Sequence, residues 1–257
     1  MNITFGICLA PNYNREYAQN LINSIVSQDF DGNNFEIIIV GDYKNDLTLT
    51  DEVKVIQFDE SIKKGWITRK KNIVAQHAQY ETVCIMHDYY LLNKNWYQGF
   101  AKYSKINRSW KILMNPVYRF EGDRHSDWLV NQKYMDQLIT QYPEVRKELM
   151  EIAPSENGPR WVCGLHYGEN ALSQIQYISG GYILCKREVL RDVPMNENLV
   201  WGDAEDIQWS ESVLAYGYKF NFNPYSIATL QKPGKWKLYI MSWNCVKLLK
   251  EMFLDGD

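Results

Sequence analysis

The sequence is short of net charge. Its 28 Lys+Arg stand against 31 Asp+Glu, a formal charge of −3 over 257 residues. A basic face able to neutralise a phosphate backbone is missing, which excludes nucleic acid as the main partner. Cysteine is scattered. Cys8, Cys84, Cys163, Cys185 and Cys245 are odd in number, widely spaced and without a C-x-x-C pair, which argues for reduced, buried thiols and against disulfides or a zinc knot. The four histidines, His77, His87, His125 and His166, form no H-x-x-x-H pair. No apolar run approaches the ~18 residues of a membrane span, and Met1-Asn-Ile-Thr-Phe5 carries no basic or long apolar leader. These absences lead to the expectation of a soluble, cytoplasmic chain. No G-x-G-x-x-G follows the first apolar run and no G-x-x-x-x-G-K-[ST] occurs, which sets aside Rossmann dehydrogenases and P-loop enzymes. Internal repeats and low-complexity tracts are also missing.

What is present is apolar and aromatic. Hydrophobic residues make up 46% of the chain, and nine Trp, eighteen Tyr and nine Phe contribute 14%. That is ample for one large domain. The first third alternates strand and helix patterns. The continuous apolar run at 3–9 reads as a strand buried on both faces, 35–40, 53–58 and 82–86 read as further strands, and helical patterns lie at 16–28 and 66–78. A further strand is expected at 111–114. The fold class is therefore α/β, a doubly wound, mostly parallel sheet whose ligands sit at the carboxyl ends of the strands. Here those are the loops at 10–15, 41–46 and 87–95. Residues 118–175 break the pattern and read as an irregular elaboration. Regular structure resumes with a strand over 177–185, a helix over 203–216 ending at Gly217, strands at 218–222 and 226–231, and an amphipathic helix over 236–254.

Several polar residues fall at strand ends or first helical turns, each with two readings. Asp42 suits a ribose or base hydrogen bond, or an Asx-turn. Asp88, between His87 and Tyr89-Tyr90, suits a divalent metal or a ribose hydroxyl, or a purely structural role. Glu205 and Asp206 open a helix, where acids favour the dipole. The Trp201-Gly202 pair before them adds an aromatic face and a close backbone approach, which would place a carboxylate beside a sugar as a general base. Gly180-Gly181, inside an expected strand, marks a close approach by backbone or ligand. Gly65 to Asn72, with Arg69, Lys70 and Lys71, is a solvated basic turn or a diphosphate contact.

Taken in order, Ala10-Pro11-Asn12-Tyr13-Asn14, Asp42, Gly65…Lys71-Asn72, Asp88, Gly180-Gly181 and Trp201-Gly202…Glu205-Asp206 resemble the motifs of GT-A glycosyltransferases. The resemblance is to the inverting, family 2-like group, with a galactosyltransferase-like C-terminal motif. It covers residues 1–100, the nucleotide-sugar-binding half, and 176–232, the acceptor and catalytic half. Together with 118–175, the acceptor region, these make a domain over 1–232, and 233–257 is a C-terminal amphipathic segment.

The resemblance implies a hexosyltransferase-type enzyme that takes a sugar from a nucleotide diphosphate, a UDP-sugar foremost, for polysaccharide biosynthesis. Pro11, Asn12, Asn14, Asp42, Lys71 and Asp88 would surround the nucleotide, with Asp88 also holding Mn²⁺ or Mg²⁺. Gly180, Gly181, Trp201 and Gly202 would line the sugar and acceptor. Glu205 would bind a hydroxyl, and Asp206 would be the base. Two departures stand out. The D-x-D run is reduced to His87-Asp88-Tyr89-Tyr90, and Leu230-Gln231-Lys232 stands where many members carry a metal-ligating His. These leave two alternatives: Lys232 with Lys71 in the metal's place, or a non-catalytic carbohydrate- or nucleotide-sugar-binding module. The 236–254 helix suits either a membrane interface or packing on the domain.

Overall fold

The computed structural model describes residues 1–125, 127–152, 163–169, 171–233 and 238–254. Trp161, Lys235, Trp236 and Lys237 lie outside the described residues. The chain runs β1 (Ile3–Cys8), α1 (Arg15–Val26), β2 (Phe35–Gly41), β3 (Val53–Gln57), α2 (Ile67–His77) and β4 (Thr82–His87), as the apolar runs predict. Every residue of β1 and β4 is buried. In β2 the side chains alternate, so Ile37 and Ile39 enter the core beneath α1 while Ile38 and Val40 enter the one on the α2 side. Asn14 caps α1, its side chain accepting the Tyr17 N–H at 3.2 Å.

The sheet continues through elements the periodicity shows less clearly. These are β5 (Tyr90–Leu92), α3 (Trp96–Ile106), β6 (Ile112–Met114) and β7 (Val117–Tyr118). The expected irregular stretch holds β8 (Leu129–Val130), α4 (Gln132–Gln141), α5 (Pro143–Ile152) and β9 (Cys163–Gly164), and β10 (Gln176–Tyr177) follows it. The chain closes with β11 (Tyr182–Lys186), α6 (Arg187–Asp192), α7 (Glu205–Ala215), β12 (Phe220–Phe222), β13 (Ala228–Leu230), β14 (Tyr239–Ile240) and α8 (Trp243–Phe253).

Seven strands form the central sheet in the order β12-β6-β11-β4-β1-β2-β3. All neighbours are parallel except β11, which runs antiparallel to both β4 and β6. That reversal matters for function. It brings the start of β11 to the carboxyl edge of β4, where Tyr182 pairs with Met86 and the His87 N–H donates to Gly181 O at 3.0 Å. The chain leaves β1 toward β2 and β3 and returns to β4 on the other side, so the crevice at the carboxyl ends of β1 and β4 is a topological switch point.

Two expectations change. Gly180 and Gly181 lie between β10 and β11, not inside a strand. Their approach is set by side chains of α7: Ile178 N–H donates to Ser210 Oγ at 2.9 Å and Gly180 N–H to Asp206 Oδ2 at 2.8 Å. The last helix starts at Trp243, because the Ser242 hydroxyl accepts the Cys245 N–H at 3.2 Å and caps it there. Before it, β14 pairs with β9, and Cys245, Val246 and Leu249 join the core with Met135 and Leu138 of α4. The apolar face of α8 is thus packed on the domain. Among the described residues no helix is long and apolar enough to cross a membrane.

Candidate active site

The switch-point crevice is a cleft of about 480 Å³, a size suited to a small-molecule ligand. The β1–α1 loop supplies Pro11, Asn12 and Asn14, the end of β4 supplies His87 and Asp88, and Trp201 and Lys232 border it as well. Asp88 is buried and its Oδ2 accepts the Ala10 N–H at 3.0 Å, which ties the β4 end to the β1 loop. Burial pushes its carboxyl above the ordinary Asp value, against the pull of Lys232 and Lys70. His87 is buried too and held well below its ordinary value by desolvation, so it is neutral. Its Nδ1 pairs with Tyr89 Oη at 2.8 Å, while Nε2 has no partner.

Asp42 is not on this wall. It ion-pairs with Lys44 and lies in an adjoining, more open depression of about 710 Å³ with Gln57 and Phe58, which shares Pro11, Glu60 and Lys64 with the cleft. The sequence pattern also gives no sign of the buried Lys70–Glu60 ion pair on the cleft wall, where Lys70 Nζ also donates to Leu9 O at 2.6 Å. Glu60 belongs to an irregular loop, and no local spacing links it to α2.

A second group of charges lies around Gly180. Lys71 is fully buried and does not line the cleft. Its Nζ faces Glu205 Oε1 at 3.8 Å and makes no hydrogen bond. Desolvation lowers the Lys71 pKa and raises that of Glu205, while each partner opposes the other's shift. The helical phase explains the burial: Ile67, Lys71 and Val74 lie at i, i+4 and i+7, on the stripe that packs against the sheet. A Cβ on Gly180 would come within 3.0 Å of both Lys71 Nζ and Asp206 Cβ and 3.2 Å from Glu205 Oε1. Gly181 is hemmed by Tyr90, whose Oη would lie 2.8 Å from an added Cβ.

Asp206 is half-buried and held at both oxygens. Oδ2 accepts the Gly180 N–H at 2.8 Å and Oδ1 its neighbour Ile207's N–H at 2.9 Å. Each oxygen still has a lone pair for another donor. The turn before it is built for exposure. Gly202 has φ +96° and Ala204 φ +56°, and Trp201 is 71% exposed while its N–H is anchored on Gly65 O at 2.8 Å. The aromatic excess divides accordingly. Trp201 and Tyr89 face the cleft, whereas Tyr90, Tyr182 and Trp209 are core residues. Trp209 donates Nε1–H to Val193 O at 2.8 Å.

A divalent ion at Asp88 would need further donors. Among the described residues no group of three or more His, Cys, Asp and Glu side chains is placed to hold one. The charged neighbours that act on Asp88 are Lys232 and Lys70. A dication here would be held by Asp88 together with the substrate's phosphates and water, beside Lys232 and Lys70.

No protein-family model and no curated protein sequence matches the chain. Solved structures do. A crystal structure of S. aureus TarS aligns with the whole chain at 17% identity and a TM-score of 0.50, and TarS 1–349 in complex with UDP does so at the same values. The fold is GT-A-like. The chain spans 40% of the longer TarS structure and 67% of the UDP-bound one.

Proposed function

We propose that the chain is an inverting glycosyltransferase that uses a nucleotide-diphosphate sugar. The observation that carries this reading is the placement of two features near the carboxyl end of β4. A nucleotide-sized cleft opens at the switch point, and a carboxylate, Asp206, is fixed by two backbone N–H groups beneath a glycine with no room for a side chain. The sharing of this fold with a protein solved in complex with UDP supports a uridine nucleotide as the donor's leaving group.

In this reading the nucleotide lies over Pro11, Asn12 and Asn14 with Asp88 beneath it, and Asp42 reaches the base or ribose from the adjoining depression. The sugar extends toward Gly180 and Gly181, and Trp201 with Gly202 covers the sugar or acceptor. Asp206 accepts the proton of an acceptor hydroxyl as that oxygen bonds to the anomeric carbon, while the bond to the diphosphate breaks on the opposite face. A base in this role contributes roughly 10²–10⁴ in rate. Glu205 binds a sugar hydroxyl, and the buried Lys71 steadies its carboxylate. Donor binding is tested by thermal shift. UDP should raise the unfolding midpoint, by about 2.7 kcal/mol of stabilisation at a hundredfold excess over its Kd. A midpoint unmoved by any nucleoside diphosphate contradicts the reading.

A further inference from the structure

Two neighbouring carboxylates open α7, and the buried cation that faces them comes from α2. Lys71 Nζ lies 3.8 Å from Glu205 Oε1 and makes no hydrogen bond. Both groups meet at Gly180. A Cβ there would stand 3.0 Å from Lys71 Nζ, 3.0 Å from Asp206 Cβ and 3.2 Å from Glu205 Oε1. The glycine thus leaves the ammonium and the two acids room to share one corner. Lys71 does not line the cleft, so its charge acts on what lies behind the cleft.

Glu205 is buried, and its carboxylate accepts the N–H groups of Gly202 and of Glu205 itself. Burial and the charge of Asp206 favour its protonated form, and Lys71 opposes them. The other titratable groups around the pair are neutral. β1 brings Cys8, whose thiol burial pushes up to about 11. The end of β4 and its following corner bring His87, kept neutral by desolvation, and the phenols of Tyr89 and Tyr90, both raised by burial. On α2, Lys70 is paired with Glu60. Among the described residues, the cation that acts on Glu205 is Lys71.

Two buried carboxylates side by side without a counter-charge tend to share a proton. We infer that Lys71 is a positioning residue that keeps Glu205 ionised beside Asp206, so that one carboxylate accepts a sugar hydroxyl while the other takes the acceptor's proton. This rests on the nucleotide-sugar reading above, and it assigns Lys71 to the carboxylate pair and not to the nucleotide. Lys71 takes part in no bond change and acts through Glu205.

Lys71→Met, close to lysine in length, and Glu205→Gln test this singly and together in the full chain. Removing one partner of a buried pair strands the other's charge, whereas removing both relieves it. Thermal midpoints are compared from about pH 5 to about pH 8. A carboxyl held above its unfolded value keeps a proton that the unfolded chain releases, so stability falls as pH rises through that window. Measured against the double variant, the Glu205 carboxyl should cost Lys71→Met about 2–4 °C more at the upper pH than at the lower. In the wild type, measured against Glu205→Gln, that pH-dependent cost should be smaller. If only the double variant folds, the stranded carboxyl is the cause and the inference holds; if neither variant lacking Lys71 folds, Lys71 is a packing residue and the inference falls.

Turnover gives the second readout. UDP release from a UDP-sugar by Lys71→Met should fall about tenfold or more near pH 6 and recover toward the wild type near pH 9, one pKa unit being tenfold. UDP affinity should stay within about threefold of the wild type. Equal midpoint differences in the two backgrounds, a loss of turnover that is the same at every pH, or a tenfold loss of UDP affinity overturns the inference and leaves the nucleotide reading standing. A wild type that binds no nucleoside diphosphate and turns over no sugar nucleotide overturns the nucleotide reading, and the midpoint comparison still decides whether Lys71 keeps Glu205 ionised.

Discussion

The backbone N–H of Gly180 donates to Asp206 Oδ2 at 2.8 Å, joining the entry to β11 with the first turn of α7 across 26 residues of sequence. The bond orients a carboxylate near the carboxyl end of β4, where the next residue, Gly181, accepts the His87 N–H, although Asp206 itself does not line the switch-point cleft. It also explains why residue 180 is glycine, since the position has φ in an ordinary region but is walled by Asp206, Lys71 and Glu205. Side-chain space, not backbone conformation, is the constraint.

Gly180→Ala should therefore damage both stability and turnover. The added methyl would meet Asp206 Cβ and Lys71 Nζ at 3.0 Å. The lysine end can swing away, but the Asp206 Cβ is fixed to the helix. Overpacking of this kind costs about 1–3 kcal/mol, read as a lower midpoint in denaturant melts.

Trp201→Ala separates binding from folding. With the residue 71% exposed, removal of its side chain should leave stability within about 0.5 kcal/mol. Losing the apolar area that the ring would cover on a sugar, at about 25 cal/mol per Å², should raise KM for donor or acceptor by roughly three- to tenfold. A changed midpoint with unchanged KM would assign Trp201 to the fold instead.

Stability should depend on pH through His125. Burial, with Arg119 and Lys232 nearby, lowers its pKa from 6.5 to about 4. Between those values the unfolded chain holds a proton that the folded chain lacks, so stability rises with pH across pH 4–6.5. His87 acts in the same direction, whereas the raised carboxyls of Asp88, Asp127 and Glu205 act in the opposite one. The contribution of His125 is therefore read by difference. The wild-type thermal midpoint should fall more steeply on acidification through this window than that of His125→Gln. Parallel curves would show that His125 keeps its ordinary value.

Much of the sheet is legible in the sequence because β1, β2 and β4 are largely apolar runs with both faces covered. The helix over α7 is legible as well, since Gly217 at φ +104° ends it. The pairing β5-β13-β7 is not, because two- and three-residue strands have no periodicity and their partners lie far apart in sequence. The same division holds at the site. Pro11, Asn12, Asn14, Asp88 and Trp201 are found by their places at strand ends and before a helix, and all line the cleft. The burial of Lys71 follows from helical phase, but its place in the cationic Arg69-Lys70-Lys71 run conceals it. The Lys70–Glu60 pair arises only from tertiary contact.

The assignment of Asp206 as base to a sugar-nucleotide reaction is tested most directly by the turnover of Asp206→Asn. Asparagine is near-isosteric and can keep the Gly180 N–H bond through its carbonyl oxygen, while it cannot take up a proton. Release of UDP from a UDP-sugar in the presence of acceptor should fall by about 10² or more, with UDP affinity close to that of the wild type. Equal turnover by the two proteins, or no turnover by the wild type with any sugar nucleotide that it binds, would contradict the assignment.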